Sequence, residues 1–205
     1  MLIYALEILG TAVFAITGAL KAVKHELDIL GILVMASITG TGGGILRDLI
    51  LGDTPPASFL DETFFLVSII SALAVFFLAP KIVKIWKIIR IGDAIGLGLF
   101  AAIGAAKGIS YEMGTIGIIL TGAITATGGG VLRDMLVNEV PLVIRKDFYA
   151  TAAVIGSLVL IGADTLKINP TTSILSAAAL TTGLRLLAMR LRLSLPKAGR
   201  IQDNY

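Results

Sequence analysis

Residues Thr39–Asp48 read TGTGGGILRD and residues Thr125–Asp134 read TATGGGVLRD. Eight of these ten positions are identical, and the stretches stand 86 residues apart. The same spacing pairs Glu7 with Asp93, Gly10 with Gly96, Phe14 with Phe100, Gly18 with Gly104, Lys21 with Lys107, Gly31 with Gly117 and Pro55 with Pro141. One register held without a gap from Glu7 to Pro55 is the mark of a duplicated unit. It divides a single domain, residues 1–205, into repeat 1 (1–86), repeat 2 (87–169), an uncopied segment (170–191) and a short basic tail (192–205).

The solvent for that unit is lipid. Hydrophobic residues make up 56% of the chain and charged residues 15%, with a mean hydropathy of +0.94, too little polar surface to clothe a water-soluble globule. No hydrophilic stretch is long enough for a second, soluble domain. A helix needs about 20 mostly apolar residues to cross the hydrocarbon core. Seven segments qualify: Leu2–Val23, Ile29–Leu51, Phe64–Pro80, Ile91–Lys107, Met113–Val137, Phe148–Thr165 and Thr171–Leu191. The first has no basic residue before its apolar run and no clear cleavage site after it, so it reads as a retained span. The fold class is therefore an all-α integral membrane protein.

Three spans separate equivalent points of the two copies, and an odd number reverses the direction of travel. The prediction is an inverted 3+3 repeat plus a seventh helix, with the functional centre near the midplane where the copies meet. Basic residues mark the cytoplasmic side. Lys81, Lys84, Lys87 and Arg90 lie between the third and fourth spans, and Lys21, Lys24, Arg145, Lys146, Arg190, Arg192, Lys197 and Arg200 fall on the same side. The opposite loops carry Asp53, Asp61, Glu62 and Asp164. This places the N-terminus outside and the C-terminus inside a cell membrane, with Trp86 and the Lys81–Arg90 run as an inner-face anchor.

Gly42, Gly43 and Gly44, and Gly128, Gly129 and Gly130, lie in mid-span. Each Gly costs a helix about 1 kcal/mol relative to Ala, so a break or kink is expected at both triplets. Backbone groups freed there must face protein or water rather than lipid. The alternative is close helix packing on small residues. Thr39, Thr41, Thr125 and Thr127 either line a polar path or hydrogen-bond to the preceding turn. Arg47-Asp48 and Arg133-Asp134 follow the triplets directly, as ion pairs that lock the helices, as charges that tune or gate a path, or as both. Lys21 and Lys107 either snorkel to the interface or act at a pore mouth. Glu7 and Asp93 read as interfacial or ion-paired, and His25 as an interfacial loop residue.

Several functions are excluded. The net charge of +3 is not arranged as a nucleic-acid-binding stripe. The chain has no cysteine and one histidine, which leaves no metal cluster, and no nucleophile stands with a base. The expectation is no enzyme and no cofactor.

The doubled signature Gly-Gly-Gly-Ile-Leu-Arg-Asp and Gly-Gly-Gly-Val-Leu-Arg-Asp resembles the prokaryotic branch of the trimeric intracellular cation channels, over about Met1 to Arg190. That resemblance implies a homotrimer with a pore in each protomer, passing potassium and other monovalent cations, with K+ or Na+ bound in the pore and lipids around it. It also implies that the second and fifth helices kink at their triplets and line the pore. Bacterial relatives with the same repeat are described as transporters of small amino acids, particularly glycine, and the resemblance implies that alternative too.

Overall fold

In the computed structural model, described over residues 1–82, 84–145, 148–191 and 193, all regular structure is helical. Lys146, Arg192, Lys197, Arg200 and the rest of the tail apart from Leu193 lie outside the described residues. The first half comprises α1 (Leu2–Lys24), α2 (Ile29–Leu51), the one-turn α3 (Ala57–Leu60) and α4 (Thr63–Leu78), which runs on into a 3-10 turn, Ala79–Lys81. The second comprises α5 (Ile85–Ser110), α6 (Thr115–Leu136), the one-turn α7 (Leu142–Arg145) and α8 (Ala150–Thr165), and α9 (Pro170–Leu191) follows.

Six helices, α1, α2, α4 with its 3-10 extension, α5, α6 and α9, are long and apolar enough to cross a membrane. The apolar α8 has 16 residues, about 24 Å at ~1.5 Å per residue, against a hydrocarbon core of about 30 Å. Outward-facing Leu30, Ile70, Phe77 and Ile116 are 64–74% exposed, a surface suited to lipid rather than water. The chain is a multi-pass, all-helical membrane protein. The fourth long helix, α5, starts earlier than its hydropathy indicates, at Ile85 rather than Ile91. The reason is amphipathic: Ile89 is buried against the α1–α2–α4 core while Lys87 and Arg90 point outward, so part of the basic run is helix rather than loop.

Helix ends recur at the 86-residue spacing. Glu26 and Glu112 close α1 and α5 with φ of 56° and 52°. Gly52 and Asn138 close α2 and α6 with φ of 73° and 54°, left-handed values that Gly, and Asn among the other residues, adopt at least cost. Asp28 caps α2 by accepting a hydrogen bond from Gly31 N at 2.7 Å.

The core contacts are reciprocal. Gly10 of α1 rests on the ring of Phe100, and Gly96 of α5 on the ring of Phe14, while those two rings meet at 5.3 Å. Gly18 lies against the Met35 carbonyl and Thr39, and Gly104 against the Thr121 carbonyl and Thr125. The first pair of contacts joins the halves, each glycine resting on the ring of the other half, and the second pair recurs within each half. The uncopied α9 packs on α5 where Gly98 meets Ala178 and Thr182, and on α8 where Gly156 meets Thr181.

Candidate functional site

α2 and α6 cross at their triplets. Gly43 lies against the carbonyl of Thr125 and Gly129 against that of Thr39, while Gly42 meets Leu132 and Gly128 meets Leu46. A Cβ at Gly43 or Gly129 would overlap the opposing carbonyl oxygen. The glycines do not break either helix: α-helical structure runs through Ile29–Leu51 and Thr115–Leu136 without interruption. No carbonyls are freed, so the cost of an open backbone in hydrocarbon does not arise. Consecutive residues turn about 100° around a helix, so the first two glycines of a triplet face the crossing and the third faces elsewhere. Gly44 looks toward Arg47, and Gly130 toward Asp93, Arg133 and the Tyr149 hydroxyl.

The threonine hydroxyls turn back on their own helices. Thr39, Thr41, Thr125 and Thr127 donate to the carbonyls of Met35, Ser37, Thr121 and Ala123 at 2.6–2.8 Å. Thr39 and Thr125 are fully enclosed, while Thr41 lines a cavity with Gly44.

Two ion clusters flank the crossing, built alike. In the first, Arg47 reaches Glu7 of α1 at 2.6 Å and its neighbour Asp48 at 2.8 Å. Lys107, from α5 of the other half, bonds Asp48 at 2.7 Å and the loop carboxylate of Asp53 at 2.6 Å. In the second, Arg133 reaches Asp93 at 2.9 Å and Asp134 at 3.0 Å. Lys21, from α1 of the other half, lies 3.4 Å from Asp134 and 2.8 Å from Glu139. Asp48 also accepts from the backbone N of Ala57 at 3.0 Å, and Asp134 from that of Leu142 at 3.1 Å, so each carboxylate fixes the one-turn helix that follows it. Arg47, Asp48, Arg133 and Asp134 are at most 2% exposed. Charges so enclosed persist only when paired and hydrogen-bonded.

Arg47, Asp48, Arg133, Asp134, Lys21 and Lys107, singled out in the sequence, are gathered here with Glu7 and Asp93, expected to be interfacial or ion-paired, with Asp53, expected only as a loop carboxylate, and with Glu139, which the sequence reading missed. Asp53 and Glu139 obey the 86-residue spacing, which is the signal that marks them. So do His25 and Tyr111: His25 Nε2 stands 2.9 Å from Glu139, and Tyr111 is beside Asp53. Arg185, an ionisable residue inside the apolar α9, was detectable on that ground alone. Trp86 receives the Lys24 amine at 3.3 Å and that of Lys21 at 4.9 Å from its ring centre, so the start of α5 is tied to the second cluster.

Two loop carboxylates carry the electrostatic signature of this arrangement. The hydrogen bond from Lys107 holds the Asp53 carboxyl below its ordinary range. At Glu139, burial pushes upward but is outweighed by hydrogen bonds from Lys21 and His25, and the net shift is downward. Both are charged at neutral pH.

A crossing of glycine helices between paired ion clusters, in an all-helical membrane protein duplicated at 86 residues, defines the class. The family model described as glycine transporter matches residues 4–80 and again 90–165, and the chain belongs to that family. The inner membrane protein YadS of Escherichia coli K12, of the UPF0126 group, is 37% identical over 199 residues, covering 96% of both chains. A structure solved in work on conductance through TRIC cation channels superposes with a TM-score of 0.90 at 39% identity, covering 99% of this chain and all of that one. The trimeric intracellular cation channel orthologue from Rhodobacter sphaeroides gives 0.90 at 32% identity, over 94% and 99% of the two chains.

Proposed function

We propose that this protein is a passive, potassium-permeable monovalent cation channel, a homotrimer whose protomers each carry a pore along α2 and α6. The carrying observation is the helix crossing flanked by two matched ion clusters, in a chain similar along nearly its whole length to TRIC cation channels. The path runs beside the crossing, past Gly44 and Gly130, because Gly42, Gly43, Gly128 and Gly129 are engaged in helix contact. Thr41 and Thr127 flank it, and the clusters stand at its two mouths with K+ or Na+ between them. Seven spans, α8 included, form the inverted repeat plus α9, with the N-terminus outside and the C-terminus in the cytoplasm of a cell. The reciprocal contacts support that reading. Selectivity among monovalent cations is modest, since no ring of backbone carbonyls is built as a filter among the described residues. Purified protein in planar bilayers under a potassium gradient should give unitary currents that reverse toward the potassium potential. Absence of currents at confirmed incorporation refutes the channel.

A second reading, a secondary transporter of a small solute such as glycine, is favoured by the description of the family model and by the reciprocal halves, which suit rocking about a central site. It predicts saturable uptake of labelled glycine into proteoliposomes and no unitary currents.

A further inference from the structure

The two halves of the crossing are matched in their charges but not in the space beside them. In repeat 1 a cavity of about 20 Å³, room for about one water, is lined by Glu7, Thr11, Thr41, Gly44, Arg47 and Ser58 among others. Ser58 Oγ is buried there without a hydrogen-bond partner. A Cβ on Gly44 would meet nothing nearer than Arg47 at 3.9 Å. Thr11 becomes Leu97 in repeat 2, and because Ala57 and Leu142 hold the same place on Asp48 and Asp134 the spacing beyond them is 85, so Ser58 becomes Val143 and Phe64, which also lines the repeat 1 cavity, becomes Tyr149. Tyr149 is 2% exposed, and a Cβ on Gly130 would have its hydroxyl as nearest neighbour, at 3.4 Å. The Arg185 guanidinium of α9 stands 4.8 Å over the Tyr149 ring. A vestibule of about 330 Å³ opens on this side, lined by Lys21, Trp86, Arg90, Arg133 and Glu139, but Gly130, one turn before Arg133, is not part of its wall.

We infer that Tyr149 is a plug that shuts the path at the repeat 2 end, below the vestibule, and that Arg185 of the uncopied α9 is the residue that positions it. In repeat 1 the counterpart Phe64 lacks the hydroxyl and does not come within 4 Å of a Cβ on Gly44, so that end stays open as far as Gly44. The asymmetry gives the seventh helix a role that neither copy supplies: it holds one end of an otherwise symmetrical path closed. The inference rests on the channel reading for its consequence but not for its geometry.

The chain contains no cysteine, so introduced thiols report without background. In purified protein in detergent, Gly44→Cys should react with a small cationic methanethiosulfonate, followed by mass spectrometry, while Gly130→Cys should stay protected. Adding Tyr149→Ala to Gly130→Cys should speed its modification about tenfold or more, since thiol reactivity follows exposure. Adding Tyr149→Phe should expose it in part, because this removes the hydroxyl that meets Gly130 and leaves a ring like that of Phe64 in repeat 1. Arg185→Ala should expose the Gly130→Cys thiol in part, and Arg185→Lys, which keeps a cation over the ring, should restore protection. Reaction of Gly130→Cys with Tyr149 intact, protection persisting in Tyr149→Ala, or an unreactive Gly44→Cys would each overturn the inference. In bilayers, Tyr149→Ala without introduced cysteines should raise unitary conductance or open probability relative to Tyr149→Phe, and equality of the two in a conducting protein counts against the plug. Labelling as expected with no currents from any variant leaves the plug standing and sinks the channel reading instead.

Discussion

Gly43 and Gly44 are adjacent, chemically identical and opposite in what they permit. Gly43→Ala places a methyl on the backbone carbonyl of Thr125, which cannot swing aside as a flexible side chain would, so α2 and α6 must move apart. Overpacking of this kind costs about 1–3 kcal/mol, offset by the ~1 kcal/mol that Ala returns in helix propensity, a net loss of about 0–2 kcal/mol. Gly44→Ala meets nothing nearer than 3.9 Å and keeps only the propensity gain of about 1 kcal/mol. The two variants should differ by roughly 1–3 kcal/mol, or about 2–12 °C in Tm for a chain of this size. Thermal unfolding in detergent, followed by size-exclusion recovery, measures it. Gly129→Ala should behave as Gly43→Ala does, because its methyl meets the carbonyl of Thr39. If Gly44→Ala is as destabilising as Gly43→Ala, or Gly43→Ala as stabilising as Gly44→Ala, the assignment of two glycines to the crossing and the third to the path is refuted.

Arg133→Ala leaves Asp93 and Asp134 enclosed without their shared guanidinium and should lower stability by about 3–5 kcal/mol, seen as loss of the folded fraction at 37 °C. A double-mutant cycle on Lys21→Ala and Glu139→Gln, followed by Tm, should show non-additivity of about 0.5–3 kcal/mol, because the pair is bonded at 2.8 Å. Additive effects would mean that the contact does not persist in the folded protein. Asp53 and Glu139 titrate in the folded chain below their unfolded values of about 3.9 and 4.3. Their stabilisation is therefore complete above those values and lost as pH falls through the lower, folded ones. Tm should be level from neutral pH down to about 5 and drop below about 4, and Asp53→Asn with Glu139→Gln should flatten the drop.

Much of this architecture is legible in the chain because membrane folding imposes strong local rules. Lipid demands long apolar runs, so α1, α2, α4, α6 and α9 are found close to where hydropathy sets them. The start of α5 at Ile85 escapes the same rule because its first turns carry Lys87 and Arg90. Duplication writes itself into the sequence as a spacing, and one spacing of 86 residues links both triplets, both Arg-Asp pairs, both lysines and also Asp53 with Glu139. Chain composition and periodicity thus settle the helical membrane class and single out the residues that matter. Their partners and the purpose of the triplets are matters of tertiary structure. A consecutive run of glycines weakens an isolated helix, and from propensity alone a break is the expectation. In the fold that cost is met by packing, since Gly43 and Gly129 admit the opposing carbonyls only because neither has a side chain. Lys21 and Lys107 each complete the cluster of the opposite half, and α9 brings Arg185 to Tyr149 from outside the repeat. Those pairings join residues far apart in the chain, where no local pattern carries information, and only the path of the backbone through space brings them together.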